Sequence, residues 1–258
     1  MMEWIATLLA WKAAAVATWF LLFFALERAR PAAPEPPAVT GGWRRVGRNL
    51  GLWTLNLPLS LLLVIPLTEW ASRVAPAWRP DWWSGWVGLA LDLLLLDLLI
   101  YWWHRANHVA PLLWRFHAVH HRDRFLDSSS ALRFHVGEVA LSALARAAVI
   151  LALCFPLASV LVFETLVLLA AIFHHSNLCL PARLERALSW VVVTPSIHWV
   201  HHHRVRRDTD SNYATVLSLW DRLFGSRSPT RRTPTMEIGT EGLEEESAVA
   251  LLLRPLRR

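Results

Sequence analysis

The stretch from Gly85 to His108 reads GWVGLALDLLLLDLLIYWWHRANH. From Gly85 to Trp103 it is apolar apart from Asp92 and Asp97. That is about the length of helix that crosses the hydrocarbon core of a bilayer. The run passes without a break into His104 and His108. On a helix, Asp97, Tyr101, His104 and His108, spaced four, three and four, form one stripe. An apolar span ending in two imidazoles on one face sets the reading of the whole chain.

Three further apolar runs lie to either side. Trp4 to Leu26 is interrupted only by Lys12, is preceded by Glu3 and has no cleavage site after it, so it reads as a retained helix. A polar linker, Glu27 to Asn49, leads to Leu50–Thr68, where Pro58 and Pro66 predict kinks. A short Trp- and Pro-bearing connection, residues 69–84, precedes the Gly85 span. Val139 to Phe173 is too long for one helix and carries a turn signal at Cys154-Phe155-Pro156. It predicts a helical hairpin with arms of about 16 residues, short for a full crossing. The expected fold is therefore all-α: an integral membrane helical bundle of about three spanning helices plus a helical hairpin, with a cytoplasmic histidine-rich helical cap. Residues 1–84 read as N-terminal helices and linker, 85–225 as the catalytic domain, and 226–258 as a basic tail with an amphipathic piece, Ala248–Leu256.

Composition agrees with a bilayer. The 258 residues are 55% hydrophobic and the mean hydropathy is +0.34, more apolar than an ordinary soluble domain. The net charge of +6 would also suit nucleic acid. Here the arginines flank apolar runs, so the positive-inside rule accounts for them and no nucleic-acid partner is expected. The 16 tryptophans crowd the run ends, as interfacial residues do. Two cysteines, Cys154 and Cys179, give neither a disulfide framework nor a thiolate zinc site. All 12 histidines lie between His104 and His203. Counting spans brings them to the same face as Arg28, Arg30, Arg44, Arg45 and Arg48, which makes that face cytoplasmic. Within the hairpin, Arg146 and Glu164 are each nine residues from Phe155 and would meet across the arms. A charge in a span is costly unless paired, so a structural ion pair is expected, with a place in a substrate pocket as the alternative.

The histidines fall into four clusters: His104 and His108 as HxxxH; His117, His120 and His121 as HxxHH; His174 and His175; and His198, His201 and His202 as a second HxxHH, followed by His203. Residues three and four apart share a helix face, so each box offers several ring nitrogens on one side. A catalytic zinc uses about three protein ligands and a structural one four. Eight or nine imidazoles therefore fit two metals. Imidazole suits zinc, copper, iron and nickel alike. No HExxH of a zinc protease and no Glu-x-x-His of a soluble di-iron bundle occurs. A lone histidine is ordinarily a surface or core residue, which keeps His135, His174 and His203 as supporting or structural candidates. Asp97 is a candidate to orient an imidazole, Asp92 a weaker one, and Tyr101 could equally be core packing.

At these residues the chain resembles the sterol desaturase / fatty acid hydroxylase superfamily, over roughly Asp97 to Gly225. Asp97 to His108 is similar to that family's opening box, Leu113 to His121 to its second, and Thr194 to His202 to its third. Arg133-Phe-His135 resembles an Arg-x-His-Pro element with Val136 in place of proline. Phe173-His-His175-Ser-Asn resembles Phe-x-His-Ser-Asn, which favours His175 over His174 as a ligand. Asn212-Tyr213 and Trp220 to Gly225 resemble the closing elements, which adds Asn212 and Asp221 as supporting residues. The resemblance implies two iron ions that activate dioxygen to hydroxylate or desaturate a membrane lipid. It also implies electrons from NAD(P)H through a separate reductase and carrier. Two other readings are a membrane metal-handling protein without redox turnover, and a metallohydrolase of lipid head groups. The absence of a carboxylate beside the boxes counts against the hydrolase.

Overall fold

The computed structural model describes residues 2–35, 42–241 and 246–256. Residues 36–41 of the expected linker and 242–245 and 257–258 of the expected tail lie outside the described residues. The described chain is helical, with only isolated bridges between extended residues. Among the described residues, five helices are long and apolar enough to cross a membrane. They are α1 (Met2–Ala29), α2 (Trp43–Val74), α3 (Gly85–Val109), α5 (Val136–Leu153) and α6 (Leu157–His175). The smaller α4 (Pro111–His121), α7 (Ala182–Leu188), α8 (Pro195–His201), α9 (Arg206–Thr209), α10 (Leu219–Leu223) and α11 (Ala248–Leu253) gather at one end as a cap.

Several boundaries differ from the sequence reading. Helix α2 starts at Trp43, so Arg44, Arg45 and Arg48 ride on its first turns instead of in a linker. The proline kink becomes a π-helical segment, Ser60–Val64, just after Pro58. Proline cannot donate to the carbonyl four residues back, and widening one turn redistributes the freed carbonyls. The hairpin arms have 18 and 19 residues, long enough to cross. Apolar counting missed their polar ends: His135 caps α5 by accepting from the Gly137 amide, and His174 and His175 form the last turn of α6. Cys154 closes α5 in the left-handed conformation, φ 56°, and turns the chain so that Phe155 enters the core.

Inside the bundle α1 and α3 pack on α6, and the second half of α2 packs on α5. Ala71, Leu96, Ile150, Phe155 and Val160 form the inter-helix core. Arg146 and Glu164 do meet across the hairpin, and Lys12 of α1 joins Glu164 at 2.6 Å. The expected pair is a triad, and Lys12, the single charge interrupting the Trp4–Leu26 run, belongs to it. Asp92 sits far down α3 from His104, about 18 Å at 1.5 Å per residue. Its carboxylate accepts from Trp83 Nε1 (2.9 Å) and Ser159 Oγ (2.6 Å) and pairs with Arg79 (2.7 Å), fixing the 75–84 loop away from the histidines.

The cap is fastened to the spans by buried polar contacts. Glu27, near the end of α1, accepts from the Ser128 and Asn177 amides, both at 2.9 Å. Arg45 is 1% exposed and pairs with Asp123 (2.9 Å) and Asp127. Asn49 donates to Asp123 (2.8 Å) and accepts from Arg133 (3.0 Å). Buried charges are tolerated when paired and hydrogen-bonded, as these are. Arg45 is thus an internal strut rather than a membrane-facing charge. The expected amphipathic tail is α11 with a short 3₁₀ turn to Leu256, and Leu251 packs on Leu52 and Val119.

Candidate metal centre

Helix α3 delivers His104 and His108, and Pro111 starts α4 after a sharp reversal at Ala110. Proline at the first helical turn lacks an amide that would be unpaired there anyway. Helix α4 brings His117, His120 and His121; α6 ends on His174 and His175; α8, also started by a proline, carries His198 and His201 and leads into His202. The four elements converge, and the ring nitrogens fall into two groups. His104, His108, His117, His121 and His201 form one; His120, His175, His198 and His202 form the other. Within each, one nitrogen per residue lies within 4.8 Å of all the others.

Neither HxxHH box serves one group alone. His117 and His121, four apart, go to the group of five, while His120 goes to the group of four. In the other box His198 and His202 join the group of four and His201 the group of five. At 100° per residue, positions four apart differ by about 40° and positions three apart by about 60° in the opposite sense. One box therefore faces two centres. Spacing alone suggested a single three-nitrogen face for each box, and the geometry corrects that.

The hydrogen bonds fix the tautomers. His104 Nδ1 is 2.8 Å from the Tyr213 carbonyl and His201 Nδ1 is 2.6 Å from the Ser211 carbonyl. A carbonyl only accepts, so each Nδ1 carries the proton and each Nε2 presents a lone pair. Those two Nε2 atoms lie 3.1 Å apart. In the group of four, His120 Nδ1 faces the Arg133 carbonyl (3.2 Å) and His175 Nδ1 the Ala171 carbonyl (2.7 Å). Their Nε2 atoms are also 3.1 Å apart. Lone pairs held face to face repel unless a cation lies between them, so both groups suit a metal ion. Burial, then neighbouring imidazoles, hold protonation of His120, His121, His198 and His202 well below the ordinary range. Burial pushes His201 down to about 3. All five are neutral at pH 7, the form that ligates metal.

The other candidates fall outside these groups. Asp97 does not touch an imidazole. It accepts from the Val216 and Leu217 amides (3.3 and 3.0 Å) and from Trp220 Nε1 (2.8 Å). Asp221 accepts from the Tyr213 and Ala214 amides (2.8 and 3.1 Å). Asn212, at φ 51°, donates to the Ile197 carbonyl and accepts from the Ser228 amide. These three side chains shape the 211–217 strap, whose carbonyls orient His104 and His201. Tyr101 is fully buried, stacked on Phe224 and bonded to Ser226 Oγ (2.8 Å). His135 reaches the Leu252 carbonyl (3.0 Å) besides capping α5. His203 pairs with Asp208 (2.7 Å). His174 is buried with its ring 3.9 Å from that of His198, and neither nitrogen has a hydrogen-bond partner among the described residues.

One supporting residue escaped the sequence reading. Glu138 Oε1 accepts from His117 Nδ1 at 2.7 Å. The available signal was a carboxylate in the first turn of an apolar helix, a place where a charge needs a partner.

The fatty acid hydroxylase family profile matches residues 89–226, which contain every histidine named above. Alkylglycerol monooxygenase from Danio rerio is 34% identical over 153 residues, 59% of this chain and 31% of that protein. Ornithine lipid hydroxylase from Rhizobium tropici is 27% identical over 179 residues, 69% of this chain and 53% of that protein. The chain thus spans about a third to a half of the length of these curated relatives. No solved structure matches it. With the profile covering more than half of its residues, the chain belongs to the fatty acid hydroxylase family, within the superfamily that its histidine boxes resemble.

Proposed function

We propose that the chain is a membrane oxygenase that hydroxylates or desaturates a lipid, using two iron ions held by the nine grouped imidazoles. The observation that carries this reading is the pair of opposed Nε2 lone pairs, one in each group, fixed by carbonyls that leave no other tautomer. Bound iron would supply the chemistry the side chains lack, activation of dioxygen and attack on an unactivated C–H bond. His104, His108, His117, His121 and His201 would hold one ion, and His120, His175, His198 and His202 the other.

The chain's own groups orient and shield. Glu138 turns His117 by accepting from its Nδ1. Outer partners of this kind set ring orientation and raise ligand basicity. The strap carbonyls do the same for His104 and His201. Each of the nine imidazoles except half-buried His104 is buried, so bulk water is kept from the centre. Alkylglycerol monooxygenase and ornithine lipid hydroxylase are both named for oxidising lipids, which favours a lipid substrate here. The lipid would enter sideways between the spans and meet the centre at their cap end, on the cytoplasmic side. Electrons would come from NAD(P)H through a separate reductase and carrier protein.

Membranes containing the iron-loaded chain and a reducing system test this with ¹⁸O-labelled dioxygen. Label in a lipid hydroxyl, or dioxygen uptake matched to a new double bond, is the expected result. Lipids unchanged while dioxygen uptake stays at background would overturn it.

A further inference from the structure

Beside the second and third histidine boxes lies a cavity of about 270 Å³ that the oxidative reading does not use. Arg122, Arg124 and Arg204 line it beside Phe125, Trp199 and Thr240. Arg122 is 3% exposed. Its Nη1 donates to Glu246 at 2.5 Å, but Nε and Nη2 are buried without a hydrogen-bond partner among the described residues. Glu246 cannot neutralise it alone, because its other oxygen takes Arg254 at 2.8 Å. Arg204 is paired with Glu237 at 3.0 Å, so among the described residues the lining carries three cations against one carboxylate. The Thr240 hydroxyl is also buried without a hydrogen-bond partner among the described residues. Guanidinium N–H groups form forks that match two oxygens of a tetrahedral anion, and three guanidinium side chains line this cavity. Phe125 and Trp199 add an apolar wall. The volume is below that of a pocket for a drug-sized ligand, about 300 Å³ or more, and suits a head group rather than a whole lipid.

We infer that this cavity binds a phosphate or phosphate-ester group through Arg122, Arg124 and Arg204. The site backs directly onto the imidazoles. Arg122 follows His121, Trp199 follows His198, and the Gly239 amide donates to the His202 carbonyl at 3.1 Å. An anion held there braces both HxxHH boxes from the side opposite the lipid.

The test is calorimetric titration of the full chain, in a phosphate-free maltoside detergent at constant ionic strength, with inorganic phosphate. Loss of phosphate binding in the arginine variants is read apart from iron content and turnover, so failure here and failure of the oxygenase reading are separable. One saturable site per chain is expected. Arg122→Gln should weaken it about tenfold or more, the scale of one lost charge-assisted contact. Because Arg122 also holds Glu246, Arg124→Gln and Arg204→Gln are the variants that leave that pair intact, and each should weaken binding several-fold. No saturable binding, or affinity unchanged in both of those variants, would overturn the proposal. A second titration uses short-chain phosphatidate. Tighter binding than phosphate identifies a lipid head group as the ligand, and equal binding a soluble phosphate ester; both support the site.

Discussion

The two groups of imidazoles differ in what holds them. In the group of five, His104 and His201 lean on carbonyls of the 211–213 strap and His117 on Glu138. The strap keeps its shape through Asp97, Asn212 and Asp221, and His104 and Tyr213 are 109 residues apart in the chain. In the group of four, His175 is fixed by a carbonyl of its own helix, and His120 by Arg133, itself locked to Asn49 and the Val119 carbonyl. One centre is set by a loop folding back over it, the other by helices and a buried ionic network. Damage to the strap should therefore reach the group of five first.

The largest expected effect comes from removing a ring in each group. His201→Ala and His120→Ala should each cut lipid turnover by more than about 100-fold, since even outer partners of metal ligands are worth 10–100-fold. Turnover within a few-fold of wild type in either variant would remove that residue from the centre.

Acid should strike both groups together. The ordinary histidine value is 6.5, whereas His201 is pushed down to about 3 and His120, His121, His198 and His202 well below 6.5. Below 6.5 the unfolded chain takes up protons that the folded chain refuses, so stability falls as pH drops from 6.5 toward 3. Thermal unfolding of the metal-free chain should move to lower temperature on going from about pH 7 to about pH 5. A rise in the midpoint would contradict the buried, neutral assignment.

Glu138→Gln separates the groups. It should lower metal affinity about tenfold in the group of five and leave the group of four unchanged, read by chelator competition. Equal losses in both would show that the carboxylate acts on the whole cap. The smallest effect is expected at His135, a helix cap that belongs to neither group. His135→Ala should cost about 1 kcal/mol of stability, a typical cap contribution, with no change in metal content.

How far the sequence could be read follows from the physics of each signal. Apolar runs located the five long helices, and helical spacing located the grouped imidazoles other than His175, which only the family resemblance singled out. Both signals are local. The allotment of His120 and His201 to opposite groups from their box neighbours depends on how four elements converge, which periodicity along one helix cannot carry. Glu138 lies 21 residues from His117, and the Tyr213 and Ser211 partners are backbone atoms, which leave no trace in residue identity. Asp97 was noticed as a buried carboxylate on the histidine stripe, but its hydrogen-bonding partners are two amides and an indole on the strap. Arg45 stands in a polar stretch of the sequence, and only the start of α2 at Trp43 carries it inward to Asp123.

The central claim is that the nine imidazoles make two metal sites. Elemental analysis of the iron-saturated chain, per mole of protein, tests it most directly. Two irons per chain are expected. A saturated wild-type chain that holds one iron, or none, would contradict it.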